Sequence, residues 1–449
     1  MLIYRGLNVE VCEQAVTGTG KSFRSNSTIE LSVARICKRA RDCCSLFGQD
    51  GTSAPIGSIW RGALSRVTAR AALQRRNKIN SMAPERCSLL QTNSRVLTLN
   101  PGSTSTKLGV YTQQGAEWVK TIRHGDEELA RFRGKPVTAR LDYRAALVEQ
   151  ALTEAGYSLD GFAAVAGRGG LMPPTVCGTY LVDETMLEEL RLARRGEHAS
   201  NLGAMLAFRF AQIAGVQAYV VDPVTVDEWQ DRARVSGSPL VKRASIGHWL
   251  NTKAVARRFA REQARPYEAL RLIVAHMGSG ITVSAHRDGR AIDSSTCEEG
   301  PFGPDRSGGL PVRELIKVCF SGEFTEKELD RQVFGDGGLF AYLGTRDLEE
   351  VERRIDAGDA EAAQVFDAMV YQIGKEVGAL AAALEGRVDG VLLTGGMAYS
   401  ERLVKLLVRF VDWIAPVRVY PGEDELQALA EGVFRVLNAE EAAKRLVVR

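Results

Sequence analysis

The 449-residue sequence has no uninterrupted apolar run long enough to span a bilayer, which excludes an integral helical membrane protein. Its eight cysteines form no Cys-x-x-Cys pair, and no Cys/His cluster has the spacing of zinc ligands. No secretory signal is recognisable, and unpatterned thiols without one point to a reducing, cytoplasmic setting. Proline is sparse, 14 residues against 44 glycines, a balance that suits tight turns bringing backbone close to a ligand. With 45% apolar and 25% charged residues the composition is that of a soluble globular protein, and its length calls for two or more domains.

Residues 1–94 read poorly as a domain. Lys and Arg outnumber Asp and Glu there, although the whole chain carries only +3. Cys12, Cys37, Cys43, Cys44 and Cys87 also fall in this part. The run Arg61–Lys78 can form one basic amphipathic helix, as in a targeting peptide or a nucleic-acid-binding arm. Glu10, Glu13 and Glu30 argue against targeting. So little apolar surface is available for burial that the segment is expected to be a disordered extension, or foreign to the native protein with Met82 as the start. Within it, AVTGTGKS (Ala15–Ser22) fits a relaxed phosphate-binding loop. A working loop of that kind follows a buried strand and opens a packed helix, and neither flanks it, so the match is set aside.

From Arg95 the texture changes to strands alternating with helices. RVLTL leads into the turn NPGSTST, and KLGVY and WVKTI continue as antiparallel strands. LRLIVAHMGSGITVSAHRDGRAID repeats that device: apolar strand, Gly-Ser turn, returning strand. GVLLTGG supplies a third apolar strand ending in small residues, and DELQALAEGVFRVL a last helix. In α/β folds ligands gather at the carboxyl ends of strands, where small residues let main-chain N–H groups reach phosphate oxygens. Three such turns, two of them repeated, imply a duplicated two-lobed protein clamping a nucleotide. The cysteines Cys177, Cys297 and Cys319 read as small apolar fillers, and His286 as solvent-facing on the returning strand.

These residues resemble the acetokinase family, and within it the butyrate kinases and branched-chain fatty-acid kinases. The resemblance runs from about Arg95 to the C-terminus through LNPGSTSTKLGVY, GRGGL, GEHASNLGA, VDPVTVDE, SIGHWLN, LIVAHMGSGITVSAHRDGR, GPFGPDRSGGLP, LTGGMAYS and VYPGEDELQALAEG. It implies an α/β fold of two RNase H-like lobes, the actin-like acetate and sugar kinase fold, with the active site in the interlobe cleft. The lobes are expected at 95–250 (acyl substrate) and 251–424 (nucleotide), with a helix in 425–449 packing back on the first. The implied activity is ATP-dependent phosphorylation of a short-chain carboxylic acid, with ATP/ADP and Mg²⁺ as cofactors. A homo-oligomer, dimer or larger, is implied, and neither a membrane nor a nucleic acid as partner.

Transfer of a phosphoryl group to a carboxylate brings two anions together, so cationic donors must cancel the repulsion and hold the groups in line. By the resemblance, Arg168 pairs with the acyl carboxylate and Arg306 with the transferring phosphoryl group, to which His248 donates. Asp222 orients the magnesium shell or holds a catalytic arginine, with a turn cap as the plainer reading. Asn100, Ser103 and Ser105 reach phosphate oxygens and magnesium-bound water, and Glu425 is a second magnesium-organising carboxylate, with Glu423 and Asp424 as neighbours that compete for that role. The ATP phosphates lie along His276, Gly278, Ser279 and Gly280, and Gly395 and Gly396 admit the adenosine portion. No direct protein ligand to the metal is assigned. Gly247 stands before His248 where the resemblance leads one to expect an aromatic residue, and Trp249 follows, which bears on the acyl-chain preference. The readings set against this one are a non-catalytic ATP-binding scaffold of the actin and Hsp70 type, and a kinase preferring acetate or propionate.

Overall fold

The computed structural model describes residues 94–448 other than residue 297. Ala15–Ser22, the basic run Arg61–Lys78, Met82 and Cys297 lie outside the described residues. All that follows concerns Pro84–Arg449, the second of the two units into which the chain divides.

Fully apolar stretches make the central strands, because a strand covered on both faces has no need to alternate. In the first sheet these are β1 (Arg95–Pro101), β2 (Ser105–Thr112), β3 (Gly115–Arg123), β4 (Phe162–Gly167), β5 (Thr179–Leu181) and β6 (Gln217–Val221), in the order β3-β2-β1-β4-β6-β5. The second sheet holds β7 (Leu272–Met277), β8 (Ile281–Arg287), β9 (Arg290–Ser294), β10 (Gly390–Gly395) and β11 (Val417–Pro421), in the order β11-β10-β7-β8-β9. In each, a three-stranded antiparallel meander continues into two parallel strands: β3-β2-β1-β4-β6 and β9-β8-β7-β10-β11 have the same pairing. The repeated sequence device is therefore a repeated fold, an α/β architecture of two equivalent lobes.

Helices cover both faces. On the first sheet α1 (Leu141–Glu154) and α2 (Asn201–Ala214) share a core with Leu97, Val165 and Val220. The helix α3 (Trp249–Glu262) packs on β7 and β10, and its Leu250 also joins the core of Val96 and Ala164 on the first sheet. Two further helices, α4 (Ala360–Ala383) and α5 (Glu401–Val411), cover the other face of that sheet. The last helix, α6 (Glu425–Leu437), returns to the first sheet and packs along β1, β2, β4 and β6. Its Gly432 lies so near β6 that a Cβ there would meet Val221 Cγ1 at 2.4 Å. That close seat fixes where Glu425, the first residue of the helix, enters the site.

The strand alternation fails at one histidine. His286 is not solvent-facing: it is fully buried, with Nδ1 2.6 Å from the Tyr267 hydroxyl and Nε2 2.7 Å from Ser284 Oγ. Burial of β8 on both faces removes the exposed side that period-2 reading assigns to it. Of the cysteines, Cys319 is exposed at a helix end and fills no core, whereas Cys177 is half-buried and burial pushes its thiol up to about 12.

Candidate active site

The carboxyl ends of β1, β4, β7 and β10 carry the predicted turns. The β1–β2 turn presents Ser103 exposed and Ser105 half-buried. Its carbonyls point inward onto Arg144 of α1, a residue that sequence reasoning missed. Arg144 is fully buried, and its Nη1 donates to Ser105 O (3.1 Å) and Thr106 Oγ1 (3.0 Å). Nη2 donates to Gly102 O (2.7 Å) and Ser103 O (3.2 Å). Among the described residues no carboxylate pairs with it; burial lowers its pKa to about 10, so it remains charged at pH 7. The turn is thus held from behind by Arg144 and closed on itself by the Gly102 N–H, which donates to Ser105 O at 2.8 Å. Thr106 also meets His124 Nε2 at 2.9 Å, and burial next to Arg144 pushes that ring down to about 4.

Arg168 leaves β4 where the chain has no side chains to keep helix and strand apart. A Cβ on Gly167 would lie 2.1 Å from Gly203 O of α2, and one on Gly203 would lie 2.2 Å from Arg168 O. The guanidinium is 7% exposed and is held by Glu425 Oε1, while Asn100 Nδ2 donates to Glu425 Oε2 at 2.5 Å. In this structure Glu425 therefore bridges Asn100 and Arg168. Glu423, weighed against it from sequence, faces the second turn instead. Glu423 Oε1 lies 3.1 Å from His276 Nε2, an ion-pair distance though off hydrogen-bond alignment. His276 beside it, with Arg168 and Lys107, outweighs burial and holds the Glu423 carboxyl down at about 2.

His276 flanks the second turn from inside the core: a Cβ on Gly278 would lie 3.1 Å from its Nε2. It is fully buried on β7, with Nδ1 3.0 Å from Asn251 Oδ1, and its ring stacks on His248 at 3.9 Å between centroids and 8° between planes. Burial first, then His276, Arg168 and Arg306, push His248 well below the ordinary histidine value, so its imidazole is neutral at pH 7. His248 Nδ1 is 2.9 Å from Thr282 Oγ1.

Of the second turn, Ser279 is exposed, and a Cβ on Gly278 would sit 3.1 Å from Glu423 Oε1. Gly280 lies against Arg306: a Cβ there would be 3.0 Å from Nη1. The Arg306 guanidinium also stands over Phe334 at 5.0 Å, with Asp305 Oδ1 3.9 Å from Nε. At the end of β10, Gly395 has φ +91 and approaches β7 so closely that a Cβ would meet Met277 O at 2.3 Å. Gly396 next to it faces open space, and a cleft of about 490 Å³ there is lined by Asp347, Glu352, Met397, Tyr399 and Ser400.

Arg168 and Arg306 thus both lie near enough to His248 to disfavour its charged form, and Arg306 stands against the Gly280 turn. Residues 242–415 match the model of the acetokinase family. His248, the β7–β8 turn, Arg306, Gly395 and Gly396 lie inside the matched acetokinase segment; Asn100, Ser103, Ser105, Arg168, Asp222 and Glu425 lie outside it. The fold of the chain is that of solved acetate kinases. It is similar to Porphyromonas gingivalis acetate kinase, with TM-score 0.65 at 19% identity over 77% of this chain and 100% of that one. It is also similar to a propionate kinase from Francisella tularensis subsp. tularensis SCHU S4 (TM-score 0.61, 16% identity, 76% and 98% covered). The acetate kinase of Entamoeba histolytica gives TM-score 0.61 at 17% identity, with 76% and 98% covered. The architecture is accordingly the actin-like acetate and sugar kinase fold.

Asp222 stands apart from this group. It is 1% exposed, with φ +37, and its carboxylate accepts from Gly178 N–H (2.7 Å) and Arg257 Nη1 (2.9 Å). Burial pushes the carboxyl up, but Arg257 and Arg435 together hold it below its ordinary value. The arginine it holds is Arg257, not Arg168 or Arg306. Trp249 is likewise fully buried, against Val226 and Ala291, and a Cβ on Gly247 would press on its ring at 3.2 Å.

Proposed function

We propose that the protein transfers the γ-phosphoryl group of ATP to a short-chain carboxylic acid, butyrate or a branched-chain relative, forming the acyl phosphate reversibly. A carboxylate oxygen attacks the γ-phosphorus in line as the bond to the β–γ bridging oxygen breaks, and ADP departs. The observation that carries this reading is the meeting of Arg168 and Arg306 around His248, with Arg306 laid against the Gly280 turn. Two cations and a neutral N–H donor are what two converging anions require.

Arg168, held by Glu425, takes the acyl carboxylate with the donors that Glu425 leaves it. Arg306 and His248 stabilise the equatorial oxygens of the transferring group. Gly278, Ser279 and Gly280 receive the phosphates of ATP, and the cleft beside Gly396 receives its adenosine. Mg²⁺ is expected with the nucleotide, where it would offset phosphate charge. Among the described residues no group of three or more His, Cys, Asp or Glu gathers to hold a metal. With the nucleotide bound, Asn100, Ser103, Ser105 and the ionised Glu423 would arrange the water shell of the ion. When bound, the ion neutralises charge on the phosphates.

The acyl preference and the homo-oligomeric, cytoplasmic setting rest on the resemblance. Among the described residues no helix is long and apolar enough to cross a membrane. The reading is tested by trapping acyl phosphate with hydroxylamine in the presence of ATP, Mg²⁺ and butyrate. Arg306→Ala is expected to lower turnover by about 10²–10³-fold. Full turnover in that variant would remove Arg306 from the reaction.

A further inference from the structure

His248 is useful to an anionic phosphoryl group only if the ring nitrogen facing it carries a proton. A neutral imidazole has one N–H, and which nitrogen holds it is set by the partner of the other. Here Nδ1 is engaged by Thr282 Oγ1 at 2.9 Å. The stack on His276, 3.9 Å away and nearly parallel, keeps the ring from turning over. Thr282 itself is fully buried and fixed in the ladder opposite His276. The bare backbone at Gly247 makes room for it, since a Cβ there would lie 3.2 Å from Thr282 Cγ2.

Two proton arrangements fit the 2.9 Å contact. If Nδ1–H donates to Thr282, Nε2 turns a lone pair toward the cleft, and the buried threonine proton has no acceptor among the described residues. If the hydroxyl donates to Nδ1, its proton is satisfied and Nε2 carries the N–H. Leaving a buried donor unmade costs about 1–3 kcal/mol, so the second arrangement prevails.

We propose that Thr282 is a positioning residue: its hydroxyl donates to Nδ1 of His248 and so keeps the proton on Nε2, aimed at the transferring phosphoryl group. The catalytic half of this statement rests on the phosphotransfer reading given above; the tautomer itself does not. The ring nitrogen that would repel an anion is turned into a donor without any need for an imidazolium, which the nearby Arg168, Arg306 and His276 disfavour.

The test uses the full chain, ¹⁵N-labelled and free of ligand. Long-range ¹⁵N–¹H correlations report the tautomer of each of the five histidines. The His248 signals are assigned by their loss in His248→Gln. Wild type is expected to show Nε2–H at His248. Thr282→Val, nearly isosteric but lacking the hydroxyl, removes the donor that fixes the tautomer, and is expected to give the averaged ¹⁵N shifts of a ring exchanging between Nε2–H and Nδ1–H. It should lower kcat roughly 10- to 100-fold with the KM for ATP little changed. Thr282→Ser should restore both the tautomer and kcat. If valine is not accommodated, Thr282→Ala reads the same two quantities. A ring as purely Nε2–H as in wild type, or wild-type kcat, in a folded variant lacking the hydroxyl overturns the proposal. If the tautomer depends on Thr282 but wild type forms no acyl hydroxamate, the phosphotransfer reading falls and the tautomer assignment stands.

Discussion

Arg144→Met removes a buried cation while keeping much of its volume. The guanidinium makes four hydrogen bonds to the first turn, at 2.7 to 3.2 Å, three of them to backbone carbonyls. Hydrogen bonds from a charged donor contribute about 1.5–3 kcal/mol each, and buried carbonyls left without a donor cost about 1–3 kcal/mol. Against this, removing a buried charge that has no ion-pair partner recovers part of its desolvation penalty, and the turn's outer carbonyls can find water. The expected net loss is about 3–5 kcal/mol, or roughly 5–15 °C in Tm for a domain of this kind. Thermal unfolding of the ligand-free protein measures it, and kcat should also fall because the freed turn no longer holds Ser103 and Ser105 in place. Arg144→Lys should recover part of both, since an ammonium reaches some of the same carbonyls without the planar fork. If Arg144→Met unfolds within about 2 °C of wild type and turns over normally, Arg144 does not hold this turn.

His124 and two glycines give three further predictions. His124 titrates near 4 in the fold against 6.5 unfolded, so its contribution is complete above pH 6.5 and is lost as pH falls from 6.5 through 4. The loss amounts to about 3 kcal/mol, and His124→Gln should flatten that acid limb in unfolding curves recorded from pH 4 to 8. Gly203→Ala places a Cβ 2.2 Å from Arg168 O, and is expected to destabilise by about 1–3 kcal/mol while lowering kcat through displacement of Arg168. Gly378→Ala, in α4 with nothing within 4 Å, should instead be neutral or slightly stabilising, and unequal Tm shifts of opposite sign would bear this out.

Much of the frame was legible from residue pattern. The two strand–turn–strand devices at Arg95–Thr112 and Leu272–Arg287 are the repeated hairpins of the two sheets, because apolar strands and small-residue turns are local signals. The side-chain pairings were not legible, because they join residues far apart in the chain. Glu425 meets Asn100 and Arg168, and Thr282 meets His248, with no local mark of either contact. Arg144 did leave a mark. It precedes Val148 and Ala151 on the buried stripe of α1, and a charged residue on an apolar helix face demands a polar partner. His286 was misplaced because β8 is covered on both faces and buries every side chain there, so alternation carries no information. Asp222 was matched by position alone, and the structure gives it to Arg257.

The central claim is phosphoryl transfer to a short-chain carboxylate. Its most direct test is hydroxamate formation with ATP and Mg²⁺ across linear and branched carboxylates from acetate to hexanoate. The account predicts turnover that peaks at butyrate or a branched relative and spreads to neighbouring chain lengths, since one methylene discriminates by only about 1–3 kcal/mol. No hydroxamate with any member of the series, from folded protein that binds ATP, would contradict it.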